Sequence, residues 1–483
     1  MSISEIAGAH PFEGAPRINI ARLIGASRGR PILIRIPATG ERPMNYSVVG
    51  LPTGLTHNDG VITGKIDTVG DYVFTLIAEN SLGKAEKTVT LEIKERSINL
   101  TPLMGFTSWN AFGASVTQEK MEATASRIVD LGLSEYGYLY VNTDSGWQGE
   151  YGGKFDAIMP NEKFPDMKAM CDKIHSLGLK CGIYANPMKY AFGWPPDHKA
   201  PGCTQGDMDI RFKNERGGIG LIRKEKNNAL QWADWGFDYL KYDWNPADAY
   251  NAEIMRSALV STDRDFGFCI SLRVIPEYIE YWKSMCQSYR CNPDSVGTWE
   301  SFMGIYRSYF DFIEHVNKGH FFDLDMLDIG KCEMFEAEKL TDAPDFGFTD
   351  DEKLIVYSSR AFFASPIQLS CNLDYVTDFE LSMYCNDEII AINQDCLFDP
   401  AKPIITIEKG EAILHVFKKK LEDGSVAYAF FNLGKTKESV TVHLDGESEI
   451  RDVWAKKNIG EGEKIDLTLQ PHTVRIIKAR SLV

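Results

Sequence analysis

The stretch "DYLKYDWN", residues 238–245, sets a lysine and an aspartate, Lys241 and Asp243, into a run of apolar and aromatic residues. Apolar runs of this length read as buried strands. The two charges are then either a buried structural ion pair or a pair projected from the strand end into a cavity that uses them. Other short apolar runs end in the same way. Trp109 with Asn110, Asp144, Tyr184 with Asn186, Ser271 with Arg273, Arg290 with Asp294, and Asp323 with Asp325 all fall at or just beyond such runs. Carboxylates accept hydrogen bonds from hydroxyl groups, and an indole stacks on the apolar face of a pyranose. Two carboxyls on opposite sides of a glycosidic bond can hydrolyse it. No histidine or cysteine cluster accompanies these residues, so the set points to a sugar.

The elements that must position them alternate. Over residues 98–398, "YGYLYVNTD", "KCGIYANP", "FDYLKYD", "FGFCISLR", "GHFFDLDML" and "SPIQLSCNL" read as strands. "EKMEATASRIVDLGL", "DMKAMCDKIHSLGL" and "KNNALQWADWG" read as helices that close on glycine. Such alternation predicts a central (β/α)8 TIM barrel, with its active site at the C-terminal ends of the strands. A doubly wound sheet would want a glycine-rich phosphate loop, and "MGFTSWNAFG" is not one. Residues 1–97 are short β-runs separated by the turn signals "ATGERP", "LPTGL" and "NDGVITG", which predicts a small β-sandwich. Residues 399–483 return to strands and predict a C-terminal antiparallel β-sandwich.

At 483 residues the chain is long enough for two or three domains. Its formal net charge of −16 disfavours a nucleic-acid partner, because no basic patch is present to release counterions. No apolar stretch approaches the ~18 residues of a membrane span. The first residues lack a basic segment followed by an apolar core, which predicts a cytoplasmic protein. The ten cysteines are scattered, without C-x-x-C or zinc spacing, and read as free thiols. The acidic segment "DLDMLDIGKCEMFEAE" lacks the oxygen spacing of a calcium loop, so no metal is expected. Trp232 and Trp235 at helical spacing read as packing residues, His320 as structural, and Asp323 as a hydrogen-bonding support for Asp325. A homo-oligomer is left open.

Seven blocks, "TPLMGFTSWNAFG", "YLYVNTDSGW", "KCGIYANP", "YLKYDW", "RCNPDSVGTW", "DMLDIG" and "EIIAINQDCL", occur in that order. Together they resemble glycoside hydrolase family 27, the α-galactosidase and α-N-acetylgalactosaminidase (melibiase) family. The N-terminal stretch resembles the immunoglobulin-like domain that precedes some bacterial members, which implies a bacterial origin. The resemblance implies a retaining glycosidase without a cofactor, acting on an oligosaccharide or glycoconjugate. By the same resemblance Asp243 is the nucleophile and Asp294 the acid/base. Lys241 contacts sugar hydroxyls, and Trp109 is the aromatic wall. Asp144 holds the C4/C6 side. Tyr184, Arg290 and Asp325 complete the substrate pocket. Lys241 would keep Asp243 ionised by Coulomb attraction, while Asp294 would hold a proton in the free enzyme. The two carboxyls of a retaining pair lie about 5–5.5 Å apart.

The chain departs from the family pattern in four places. Phe106 stands for the usual tryptophan, Ser145 for the second carboxylate of an Asp-Asp pair, and Asn245 for a frequent cysteine. Arg273 stands where galactosidases often have glutamate or a small residue reading the C2 substituent. The lost acid and the added arginine suit a modified or acidic galactose-like sugar, since arginine forks onto carboxylates. The plainer expectation is that Arg273 pairs with Asp144 or Glu277. α-N-Acetylgalactosaminide and β-L-arabinopyranoside are further substrate readings. Two other functions stay open: an aldolase with Lys241 as Schiff-base lysine, which needs a neutral amine, and a catalytically silent carbohydrate-binding protein.

Overall fold

The computed structural model describes residues 5–193, 199–212, 218–271, 273–274, 276–342 and 346–482. Seven short parallel strands lie side by side in chain order: Met104–Thr107, Tyr140–Thr143, Lys180–Ala185, Tyr239–Asp243, Gly267–Ser271, Ser288–Tyr289 and Phe321–Phe322. An eighth, Ile367–Leu369, pairs back to the first. A parallel bridge from Leu327 to Leu369 joins the seventh strand's extension to the eighth and closes the barrel. The strands are largely apolar because helices cover their outer face. Among these are Gln118–Asp130, Met167–Ser176, Glu225–Trp235, Ala249–Val260, Trp299–Ser308 and Asp350–Phe362.

Local chemistry sets the helix ends. The side chains of Thr117, Asp166, Asp248, Thr298 and Thr349 each accept a backbone N–H in the first turn of the helix that follows. Each such cap stabilises by about 1 kcal/mol. Glu225–Trp235 stops at Gly236, whose φ of 104° lies in the left-handed region that suits glycine. Trp147, Trp232, Trp282, Tyr242 and Tyr289 fill the space between strands and helices. Trp232 and Trp235 are buried as their spacing predicts. His320 is structural, its Nδ1 lying 2.8 Å from the Cys286 carbonyl.

Three strand expectations needed revision. The sixth strand is only two residues long, too short for a periodic signal. The fifth ends at Ser271, and Leu272 lies outside the described residues. Two antiparallel hairpins, Gln148–Gly152 with Ala157–Pro160 and Thr204–Met208 with Gly220–Arg223, rise from the barrel rim within stretches that carried no strand pattern.

The N-terminal module has a four-stranded sheet (Leu23–Ser27, Gly83–Lys94, Gly70–Asn80, Asn45–Val49) and a three-stranded one (Ile32–Arg35, Val61–Gly64, Leu55–Asn58). Ile34, Ile62, Phe74, Leu76 and Leu91 lie in its core. It docks on the barrel face opposite the strand C-termini. Arg35 pairs with the buried Glu135 at 2.6 Å and donates to the Leu177 carbonyl at 2.8 Å. The Ser27 N–H donates to Asp265, and Lys318 pairs with Glu92. Glu135, Leu177, Asp265 and Lys318 all lie just before barrel strands.

After the barrel, six antiparallel strands form one ladder in the order Lys402–Lys409, Ala412–Lys420, Val426–Asn432, Thr473–Ser481, Glu438–Asp452, Lys457–Leu469. A register shift between His443 and Ser448 lets the long fifth member of the ladder bend over the sandwich core of Val416, Tyr428, Phe430, Val442 and Ile477. The alternate residues Phe417, Ala427, Ala429, Phe431 and Ile476 join the barrel core instead. The period of two along each strand thus supplies both faces.

Candidate active site

Each candidate site residue from the sequence sits at or just past the C-terminal end of a barrel strand. Trp109 lies in the short helix Ser108–Phe112 directly after the first strand. Asp144 and Ser145 follow the second, and Tyr184 lies near the end of the third. Lys241 and Asp243 end the fourth, where Tyr184 is in register with Lys241 and Asp243 with Ser271. Arg273 lies two residues past the fifth strand, Arg290 and Asp294 follow the sixth, and Asp323 and Asp325 follow the seventh.

Two ion-pair groups organise the mouth. Lys241 Nζ, partly buried, meets the buried Asp144 Oδ2 at 2.8 Å. The other Asp144 oxygen accepts the Ser145 N–H at 2.7 Å. Opposite, Arg290 pairs one guanidinium nitrogen with Asp325 and the other with Asp294. Asp325 Oδ2 accepts the Ser295 N–H at 2.7 Å, and the Asp325 N–H donates to Asp323 Oδ1 at 2.9 Å. Asp323 is therefore the support for Asp325 that the sequence suggested. Between the groups lies Asp243, whose Oδ2 accepts the Tyr184 hydroxyl at 3.1 Å. Asp294 differs from the rest in being 61% exposed at its side chain. One carboxylate is thus held deep and the other at the rim.

Burial dominates the electrostatics. It pushes Asp243 up to about 6, against the opposing pull of Lys241 and Arg290. Lys241 was expected to keep Asp243 ionised; it does pull the carboxyl down, but its ammonium is shared with Asp144 and desolvation outweighs it. Asp323 is likewise raised to about 6 by burial and then by Asp325. Tyr184 is raised far above its ordinary value by burial and by the Asp243 carboxylate, so it remains a donor. Burial lowers Lys241, but Asp144 and then Asp243 and Asp325 overcome it and leave the value raised. A Schiff-base lysine must lose its proton. Lys241 is built to keep it, which rules against the aldolase reading.

The Ser145 hydroxyl donates to the Phe192 carbonyl, tying the loop after the third strand down over the second. On that loop Gly193, at φ +82°, leaves no room for a Cβ against the Trp109 ring. Asp325 is held at both oxygens, by Arg290 and by the Ser295 N–H. Arg273 was expected to pair with Asp144 or Glu277, yet Asp144 is taken by Lys241. Among the described residues Arg273 forms no ion pair.

Two supports carry little or no sequence signal. Asp328 accepts from Ser295 Oγ at 2.6 Å and from the Gly297 N–H, holding the loop that carries Asp294. His472, from a turn of the C-terminal sandwich, stacks on Trp299 at 4.3 Å and 17°. Asp328 lies inside the block "DMLDIG", which was its only signal. His472 is too distant in sequence to have had one. Among the described residues no group of three or more His, Cys, Asp or Glu side chains is placed to hold a metal ion.

A family model described as alpha galactosidase A matches residues 101–201 and 206–395. The chain belongs to this family of glycoside hydrolases. A model of the α-galactosidase C-terminal β-sandwich matches residues 411–479, and an Ig-domain model matches 15–94. The α-galactosidase A of Cellvibrio japonicus is 30% identical over 351 residues, covering 69% of this chain and 76% of that protein. A Bacteroides fragilis crystal structure described as an α-galactosidase/melibiase superposes with a TM-score of 0.85 at 28% identity, covering 98% of this chain and 99% of that one. A β-L-arabinopyranosidase of Geobacillus stearothermophilus shares the fold with a TM-score of 0.67 at 21% identity, covering 80% of this chain and 97% of that one. The α-galactosidase-family fold thus extends over all three parts of the chain, and the protein is a glycosidase.

Proposed function

We propose that this glycosidase removes terminal α-galactosyl-type residues from oligosaccharides or glycoconjugates with retention of configuration. Asp243 is the nucleophile and Asp294 the general acid/base. The observation that carries this reading is the contrast between the two carboxyls. Asp243 is partly buried at a strand end and held by the Tyr184 hydroxyl, while Asp294 stands exposed at the rim on the Arg290 guanidinium. A nucleophile must be fixed and dehydrated; an acid/base must exchange protons with the leaving group and with water.

In the first step Asp243 attacks the anomeric carbon and the glycosidic bond breaks, with Asp294 protonating the departing oxygen. In the second, Asp294 takes a proton from water as that water attacks the glycosyl-aspartate. The Lys241–Asp144 pair offers a cation and a carboxylate to adjacent sugar hydroxyls. Tyr184 orients Asp243 and donates to it in both protonation states. Asp325 acts through Arg290 and the Ser295 N–H, placing the loop that bears Asp294. Trp109 supplies an aromatic wall beside Gly193.

A panel of 4-nitrophenyl glycosides tests the reading: α-galactoside, α-N-acetylgalactosaminide, β-L-arabinopyranoside and α-galacturonide. Product stereochemistry is followed by NMR. Release of the α-anomer of a galactose-type sugar is expected. Initial release of the β-anomer from an α-galactosyl compound would exclude double displacement.

A further inference from the structure

We infer that Arg273 receives an anionic oxygen group of the substrate, a carboxylate or a sulfate. The inference rests on the α-galactosyl reading above and deepens it. Its first support is position. Ser271 ends the fifth strand in register with Asp243, and Arg273 follows two residues later. The next N–H, that of Val274, donates to the Arg290 carbonyl at 3.0 Å. The segment is therefore pinned between the strand bearing the nucleophile and the residue that holds the acid/base.

The second support is backbone strain. Arg273 has φ of 60°, in the left-handed region that L side chains avoid. Such outliers persist where the surroundings impose them, and they gather at ligand sites. The third is the absence of a partner. The chain carries 68 acidic and 52 basic side chains, and Asp144, Asp243, Asp294 and Asp325 share this mouth. Lys241 and Arg290 are each engaged by those carboxylates. Arg273 is exposed and, among the described residues of the site, is the one cation with no carboxylate of its own.

The fourth is the shape of the guanidinium, whose fork suits two oxygens of one oxyanion. A neutral sugar hydroxyl would leave most of the five guanidinium N–H groups unmatched. The remaining carboxylates of the mouth repel an anion, so they also fix which side of the pocket it occupies.

The anion can sit on the sugar that is cleaved off or on the unit next to it, and matched pairs separate the two. For the first, 4-nitrophenyl α-galacturonide and 2-O-sulfated 4-nitrophenyl α-galactoside are each compared with 4-nitrophenyl α-galactoside. For the second, α-galactosyl-glucuronate is compared with α-galactosyl-glucose. The readout is the ratio of kcat/KM for the anionic member to that for the neutral member, measured in wild type, Arg273→Gln and Arg273→Lys. The ratio does not depend on the fraction of folded enzyme. In at least one arm wild type should favour the anion, Arg273→Gln should lower the ratio at least about tenfold, the size of one charge-assisted hydrogen bond, and Arg273→Lys should fall between. Turnover of the neutral compounds with no arm favouring the anion, or a ratio unchanged by Arg273→Gln, overturns this inference alone. No turnover of any α-galactosyl compound overturns the α-galactosyl reading and the inference with it.

Discussion

Replacing Asp243 by asparagine should abolish turnover and at the same time stabilise the protein at neutral pH. The side chain is largely withdrawn from solvent, and desolvation raises its carboxyl from 3.8 to about 6. Each pKa unit corresponds to about 1.36 kcal/mol, so holding Asp243 ionised costs the fold up to about 3 kcal/mol well above pH 6. The sign follows from the direction of the shift. A carboxyl raised in the folded state adds stability in its protonated form below about pH 4, and that contribution is lost as pH rises through about 6. Asparagine keeps the shape, still accepts the Tyr184 hydroxyl and has no proton to lose. Thermal unfolding of wild type and Asp243→Asn, followed from about pH 4 to pH 8, should show a higher midpoint for the variant above pH 6. The gain should fade towards pH 4. Midpoints are compared because three packed parts need not unfold in two states. A variant that is less stable than wild type at pH 8, or equally stabilised at every pH, would refute the claim that Asp243 is a carboxylate strained by burial.

Tyr184→Phe removes the 3.1 Å donor to Asp243. The acid limb of kcat/KM, which wild type should show near pH 6, should then move up by about one unit, the worth of ~1.5 kcal/mol of charge-assisted hydrogen bond; an unmoved limb would deny the phenol that role. Asp294→Ala should still form the glycosyl-enzyme from a dinitrophenyl glycoside and stall there, and azide should restore turnover as the α-glycosyl azide, because an anion needs no general base. Failure of azide together with an unchanged pH profile would remove Asp294 from the acid/base role. His472→Ala deletes the ring stacked on Trp299, five residues after Asp294. It should slow substrates with poor leaving groups more than dinitrophenyl ones, with rescue by His472→Phe; equal loss on both would make the stack merely structural.

The barrel was legible because its strands are largely apolar runs and three of its helices close on glycine, signals that survive in a single chain. The sixth strand was not, since Ser288–Tyr289 is too short to show a period and is held by its neighbours. Site membership was legible for the same topological reason: strand C-termini converge, so Asp144, Lys241, Asp243, Arg290 and Asp325 share one mouth. Their partners were not. Sequence order suggested Lys241 for Asp243, two residues away, yet the lysine reaches Asp144 across the third strand. Whether Arg273 finds a partner depends on a backbone dihedral that no residue pattern announces. The contact between His472 and Trp299 depends on how the C-terminal sheet packs against the barrel, which no local period encodes.

The central claim, that Asp243 is the nucleophile of a double displacement, is tested most directly by trapping the intermediate. The enzyme is inactivated with a fluorinated α-galactosyl substrate analogue, digested and sequenced by mass spectrometry. One fluorosugar bound per chain, on the peptide containing "YLKYDW" and at Asp243 itself, is the predicted result. A label on Asp294 or on any other residue, with Asp243 unmodified, would contradict the account.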